Sequence, residues 1–531
     1  MESLSQDIYF WQLIHYLVCH EGMSLIQVAD NEREYWLEKE DSKETTVIRI
    51  VRKDFNWSNM IGRDIENLVI RGDGIRKELK SKRLKIYNVY VSNYLPIDSS
   101  YENNNLLEKV FITRNKSIKI SSYIIDGEKG DQFGVINVSE ALNVKLPRVN
   151  VNQHFLNVEE IQYYRQEVLS ISDQRLKKQN ALFTYGKPIF TYILLVMLIG
   201  VFAVIEYYGS SESLLTLIEF GAKYDPLIME GEWWRFFTAI FLHIGFAHLL
   251  MNSLALFYLG SAVERIYGTT RFIMIYCFAG VIGSISSFAF NHQISAGASG
   301  AIFGCFGALL YFGVIYRKLF FRKIGVNIIV VLLFNLVLGF MLPVIDNGAH
   351  IGGLIGGFFA SSIFHLPKHK IRVKQFLALI FTTISVSLLL SYGFSTNHET
   401  ETTHLINVQI AQELLQRGEI ERAYSLLKNA VDSGIDIVEV NFLLAYSEAK
   451  MGLLKDAEKN LLITIEQRPF LHEAHFNLAL IYYEFKQYID AFEAVQSALE
   501  LEPNNQDYQK LRDACAAEPR SYHITGGIPV E

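Results

Sequence analysis

Gly297-Ala298-Ser299-Gly300 opens an apolar run that continues without a charge to Tyr316, and about fifty residues on His350 opens a second apolar, glycine-rich segment. A serine hydroxyl becomes a nucleophile when a neighbouring base takes its proton, and neutral histidine is the usual base. An acyl-transfer intermediate also needs hydrogen-bond donors aimed at its developing oxyanion. His248 and Asn252 supply candidates, because four residues apart on a helix they share one face. Both are costly in lipid unless they face a protein cavity or water. The backbone N–H of Ser299, at a helix start, is a third candidate donor.

The elements that must position these groups are legible as seven apolar segments, roughly 188–205, 243–263, 272–290, 299–316, 324–343, 349–366 and 375–393. Each approaches the ~20 residues that cross a bilayer core. Several are rich in Gly, Ala and Ser, which suits helix–helix contact. Gly353 and Gly357 lie on the helix face that carries His350, a groove through which the Ser299 helix can approach.

Loop charges orient the spans. Lys177, Lys178 and Lys187 precede the first, and Arg265 and Arg271 follow the second. Arg317, Lys318, Arg322 and Lys323 follow the fourth, and Lys368, Lys370, Arg372 and Lys374 follow the sixth. The alternate loops 291–298 and 344–348 have no lysine or arginine, and 209–242 has only Lys223 and Arg235. The positive-inside rule then predicts a cytoplasmic amino terminus, an extracellular carboxyl terminus, and Ser299 and His350 at the outer ends of their helices. The first twenty residues lack a basic leader, consistent with that start.

Composition narrows the alternatives. A length of 531 residues suggests several domains, and a net charge of -7 gives no sign of nucleic acid binding. Cys19, Cys277, Cys305 and Cys515 are scattered and form neither a disulfide framework nor a zinc pattern. No HExxH motif or aspartate pair lies in a span, which argues against the other membrane-embedded protease chemistries.

Taken in order, Trp234-Arg235, His248, Asn252, Glu264-Arg265 with Gly268, Gly297-Ala298-Ser299-Gly300, and His350 with Gly353 and Gly357 resemble the rhomboid family of intramembrane serine proteases. The resemblance runs from the first span to the sixth. The seventh span, cytoplasmic head and outer repeat tail resemble a Gram-positive branch of the family. The resemblance implies a dyad with Ser299 as nucleophile and His350 as base and then acid. It also implies an oxyanion hole formed by His248, Asn252 and the Ser299 backbone. Implied substrates are membrane proteins cut near the outer membrane boundary, with no metal or organic cofactor. Phe303 stands where bacterial relatives often carry tyrosine, and its ring is expected to stack on His350. Trp234 and Arg235 are expected to anchor the outer loop in the membrane interface, where aromatic and cationic groups are favoured, and Glu264 and Arg265 to pair across an inner loop. Asp346 is expected to be an ordinary loop acid near solvent, and His243 lies outside the expected catalytic set. A catalytically idle membrane scaffold is the alternative.

The soluble ends differ in pattern. Ala411, Ala445 and Ala479 recur every 34 residues, as do Ala423, Ala457 and Ala491, while Gly418 and Gly452 repeat the step. That is the tetratricopeptide (TPR) period, predicting about three helix pairs over 405–510, a tail from 511 to 531 and a partner-binding solenoid. The first 180 residues read as an α+β domain, with strands near 34–39, 45–51, 84–92, 109–113 and 117–125 and helices near 6–20, 58–80 and 157–170. His15, Cys19 and His20 have metal-ligand chemistry but no clear fourth ligand, so no metal is assigned.

Overall fold

The computed structural model describes residues 4–517 apart from 29–31, 40–44, 80, 82, 99–109, 113–116, 127–131, 149–157, 369–372 and 397–400. The chain forms two compact units: Met1–Tyr185 with Tyr316–Val326, and Gly186–Ile315 with Asn327–Glu531.

The first unit is built on a six-stranded mixed sheet. Its strands are β1 (Ser24–Val28), β2 (Glu34–Lys39), β3 (Thr45–Arg52), β4 (Leu84–Ser92), β5 (Phe111–Ile112) and β6 (Ile118–Asp126), in the order β1-β2-β3-β4-β6-β5. β3, β4 and β6 pair in parallel, and the others are antiparallel. Alternation along the strands sorts the side chains to two faces. Tyr35, Leu37, Ile48, Ile50, Val89 and Val91 join one core with α1 (Leu4–His15), α3 (Gln132–Leu142) and α4 (Val158–Ala181). On the other face, Trp36, Val47 and Ile86 meet Leu68, and Val51 and Tyr90 meet Ile61 and Ile65, all three from α2 (Ser58–Glu78). β1 and α3 were not foreseen from the sequence, and positions 109 and 113 of the expected fifth strand lie outside the described residues. The same unit includes the turn after the fourth apolar segment: Lys318 and Arg322 reach buried Glu38 of β2 at 2.7 and 2.6 Å.

In the second unit the seven apolar segments are helices. They are α5 (Ile189–Tyr208), α7 (Gly245–Tyr267), α8 (Thr269–Phe290), α9 (Ser299–Ile315), α10 (Val326–Met341), α11 (Asn347–Phe364) and α12 (Val373–Thr396). Between α5 and α7 the chain forms a short helix, α6 (Leu214–Glu219), and several turns. The chain is therefore a multi-pass membrane protein. α9 and α11 are short and glycine-rich because they pack at the bundle's centre against each other and α8. A Cβ on Gly353 would lie 2.0 Å from the Gly300 carbonyl oxygen, and one on Gly357 2.1 Å from that of Gly304. A Cβ on Gly304 would lie 2.2 Å from the Ala279 Cβ of α8. Backbone meets backbone at these crossings, which only glycine permits.

The carboxyl-terminal part is a stack of helix pairs: α13 (Glu401–Gln416) and α14 (Ile420–Asp432), α15 (Val438–Lys450) and α16 (Leu454–Gln467), α17 (His472–Glu484) and α18 (Tyr488–Leu501). All six periodic alanines are fully buried at helix contacts. A seventh helix, α19 (Gln506–Ala517), closes the stack with Tyr508, Leu511 and Cys515 buried. The expected tail therefore begins inside a packed helix, and 518–531 lie outside the described residues.

Candidate active site

Ser299 is the first residue of α9, and its helix begins hydrogen bonding when Ile302 N–H donates to the Ala298 carbonyl at 3.0 Å. The N–H groups of 299–301 are thus left without intrahelical acceptors. The segment entering this turn is held from several sides. Lys223 and Ser295 exchange backbone hydrogen bonds of 3.0 and 3.1 Å, and Gly297 N–H donates to the Ala239 carbonyl at 2.9 Å. The Ala298 N–H points to His243 Nε2 at 3.5 Å.

His350 sits in the first turn of α11, one residue past Ala349, whose carbonyl oxygen lies 3.4 Å from where a Gly300 Cβ would stand. The residues next to Ser299 and His350 are therefore in contact. Phe303, one turn into α9, stacks on the His350 imidazole with centroids 4.1 Å apart and planes 12° from parallel. No hydrogen bond joins the serine to the imidazole, and His350 Nδ1 is buried without a partner. Asp346, expected as a solvent-facing loop acid, instead caps α11: one carboxylate oxygen accepts from Ala349 N–H at 2.9 Å and the other from the Ser287 hydroxyl of α8.

His248 and Asn252 project from the first turns of α7. The His248 ring covers Gly297 so closely that a Cβ there would lie 2.9 Å from His248 Cε1. Asn252 is buried, and one of its amide hydrogens is donated to the His248 carbonyl at 3.0 Å, leaving the second available. His243 packs edge-on to His248 at 5.3 Å and is buried with Nδ1 unpartnered. Sequence reasoning set this histidine aside; its contact with the Ala298 backbone, across 55 residues, had no local signature.

The outer and inner loop motifs also take definite roles. Arg235 is buried rather than at the interface, donating to the carbonyls of Ile218 and Ala222 at 2.7 and 3.0 Å, while Trp234 remains half exposed over its guanidinium. Glu264 is fully buried and does not pair with exposed Arg265. It accepts from the backbone of Phe190 and Thr191 and from the hydroxyls of Thr191 and Thr269, clasping the start of α5 to the turn at Gly268. Gly268 takes φ +84°, a conformation that favours glycine.

For metals, the described residues bring together one mixed set, His15, Cys19 and Glu167, with ligand atoms within 4.8 Å of one another. His15 Nε2 is 2.7 Å from Glu167, so the pair satisfies itself. Glu167 arrives from α4, 152 residues away, and could not be anticipated; His20 is exposed beside His15. Burial pushes the Cys19 thiol up, as does the charge of Glu167.

Comparison with known proteins gives this arrangement its context. The rhomboid domain family matches residues 230–367 and a tetratricopeptide repeat family matches 472–505. The chain is 36% identical over 481 residues to the rhomboid protease GluP of Bacillus subtilis, covering 90% of this chain and 91% of that protein. It is 32% identical over 274 residues to the rhomboid protease AarA of Providencia stuartii, covering 45% of this chain and 95% of that protein. Matched over nine-tenths of its length by a rhomboid protease, with the rhomboid domain falling on the membrane bundle, the chain belongs to the rhomboid family of intramembrane serine proteases.

Proposed function

We propose that the protein cleaves membrane-protein substrates near the outer membrane boundary through a Ser299–His350 dyad. The observation that carries this reading is the glycine-on-glycine contact of α9 and α11, which sets the serine turn beside the turn bearing an imidazole stacked on Phe303 with its Nδ1 unpartnered. His350 takes the Ser299 proton as the hydroxyl oxygen attacks the scissile carbonyl carbon. The resulting oxyanion accepts hydrogen bonds from the Ser299 N–H, the free Asn252 amide hydrogen and His248. The imidazolium then gives its proton to the leaving amine, an acyl-enzyme forms, and water activated by the same imidazole releases it. Catalytic hydrogen bonds in apo sites are often long and tighten only with substrate bound.

The charge rule places this site on the outer side, and two sets of contacts support that. Lys318 and Arg322, from a loop assigned inside, bind the head, whereas the repeat array binds α6, from a loop assigned outside. The array offers a surface for proteins, consistent with a role in gathering substrates or partners. In proteoliposomes, Ser299→Ala is expected to lower cleavage by at least about 1,000-fold with unfolding temperature unchanged. Residual cleavage near the wild-type rate overturns the dyad and favours an idle scaffold.

A further inference from the structure

The segment that delivers Ser299 is braced by a chain of contacts that begins in the repeat array. On α13, Glu413 accepts from the Ser213 hydroxyl at 2.5 Å and from the N–H groups of Leu214 and Leu215 at 3.1 and 3.0 Å, so a repeat residue caps α6. Arg417 donates to Thr216 Oγ1 at 2.6 Å and Glu219 Oε2 at 3.1 Å. Leu215, Ile218 and Tyr224 share one core with Ile406, Ile410 and Leu414 of α13, and the Tyr224 hydroxyl donates to Asn407 at 2.7 Å. This contact is packed and hydrogen-bonded, unlike a tether.

Tyr224 is flanked by the second half of the brace. The Lys223 side chain is fully buried, and Asp225 is nearly so. Lys223 Nζ lies 2.8 Å from Asp225 Oδ1 and donates to the carbonyls of Asn291 and Gln293, the latter at 3.0 Å. Its backbone pairs with Ser295, four residues before the serine. An ammonium is buried only where its charge is met, and one with three oxygen partners at a loop is a clamp. Removing its side chain leaves the Asn291 and Gln293 carbonyls without this donor and loosens the approach to α9.

We propose that the first repeat helix and Lys223 together form a positioning device for the nucleophile. α13 holds α6 and Tyr224, Lys223 holds 291–295, and Ser299 is thereby kept in register with His350. The repeat array then governs the turnover of every substrate, including one that never touches the repeats. This rests on Ser299 being the nucleophile.

The test uses the full chain in liposomes with a single-span peptide substrate that has no soluble domain. Turnover, KM, the rate of serine acylation by a fluorophosphonate probe and thermal unfolding are measured. Lys223→Met is expected to lower kcat and probe acylation together by about 10- to 100-fold, the effect of a misplacement near 1 Å, with KM changed less than about twofold. The double variant Glu413→Ala, Arg417→Ala, which alters only the contact between array and α6, is expected to lower both rates at least about threefold. Wild-type acylation rates in the folded double variant overturn the brace, and this variant alone decides if Lys223→Met does not fold. Cleavage surviving in Ser299→Ala overturns the dyad instead, a separate result.

Discussion

At the scale of single residues, the site depends on atoms that are missing. Gly353 and Gly300 meet where a Cβ would overlap a carbonyl oxygen at 2.0 Å, and backbone cannot step aside as a flexible side chain can. Gly353→Ala is therefore expected to separate α9 from α11 and lower cleavage at least 100-fold, with a clear loss of thermal stability. Gly200→Ala is the matched control. Nothing lies within 4 Å of its added methyl, so activity should be unchanged in the same assay. Buried charge is equally specific. Lys223 and Arg235 are the two exceptions to the charge rule in the 209–242 loop, and both are buried against carbonyls instead of lying in the water–lipid interface.

At the scale of elements, the repeats show how periodicity meets backbone geometry. Gly418 and Gly452 end the first helices of their pairs at φ +79°, and the third repeat places Lys486 at the equivalent step with φ +59°. A side chain with a Cβ is strained there. Lys486→Gly should stabilise the array by about 0.5–1 kcal/mol, read as a shift of its denaturation midpoint; a loss would show that the lysine's own contacts outweigh the strain. In the head, the Arg49 guanidinium bonds Glu34 and Asp64 at 2.7 and 2.6 Å inside the sheet and helix packing. Burial pushes both carboxyls up, but the hydrogen bonds and charge of Arg49 outweigh it and hold them below the usual carboxylate range. Because the folded values are depressed, the stability they contribute is complete above about pH 5 and is lost as pH falls through and below about 4. Arg49→Met should cost roughly 1.5–3 kcal/mol at neutral pH by leaving the half-buried carboxylates of Glu34 and Asp64 without their cation, measured by chemical denaturation of the full chain.

At the scale of the whole molecule, the proposed topology puts the two soluble regions on opposite sides of a membrane. With the four native cysteines replaced, Lys85→Cys in the head and Lys510→Cys in α19 can be probed with a membrane-impermeant maleimide on intact cells. Labelling of position 510 alone is expected; labelling of 85 before lysis would reverse the orientation.

The apolar periods, the loop charges and the motif residues are properties of the chain read locally; they were enough for seven helices and the 34-residue repeat, and to nominate the set Ser299, His350, His248 and Asn252. The strands β2 and β4 were legible as short runs rich in aromatic and branched residues, and both are buried along almost their whole length. Edge strand β1 escaped because its last two residues are exposed and carry little pattern. What the tertiary structure alone decided are contacts between residues far apart in sequence: Glu413 on α6, His243 at Ala298, Asp346 on Ser287, Glu264 at the start of α5. No local signal encodes them, because a buried polar group selects its partner from whatever backbone and side chains the completed packing brings within hydrogen-bond reach.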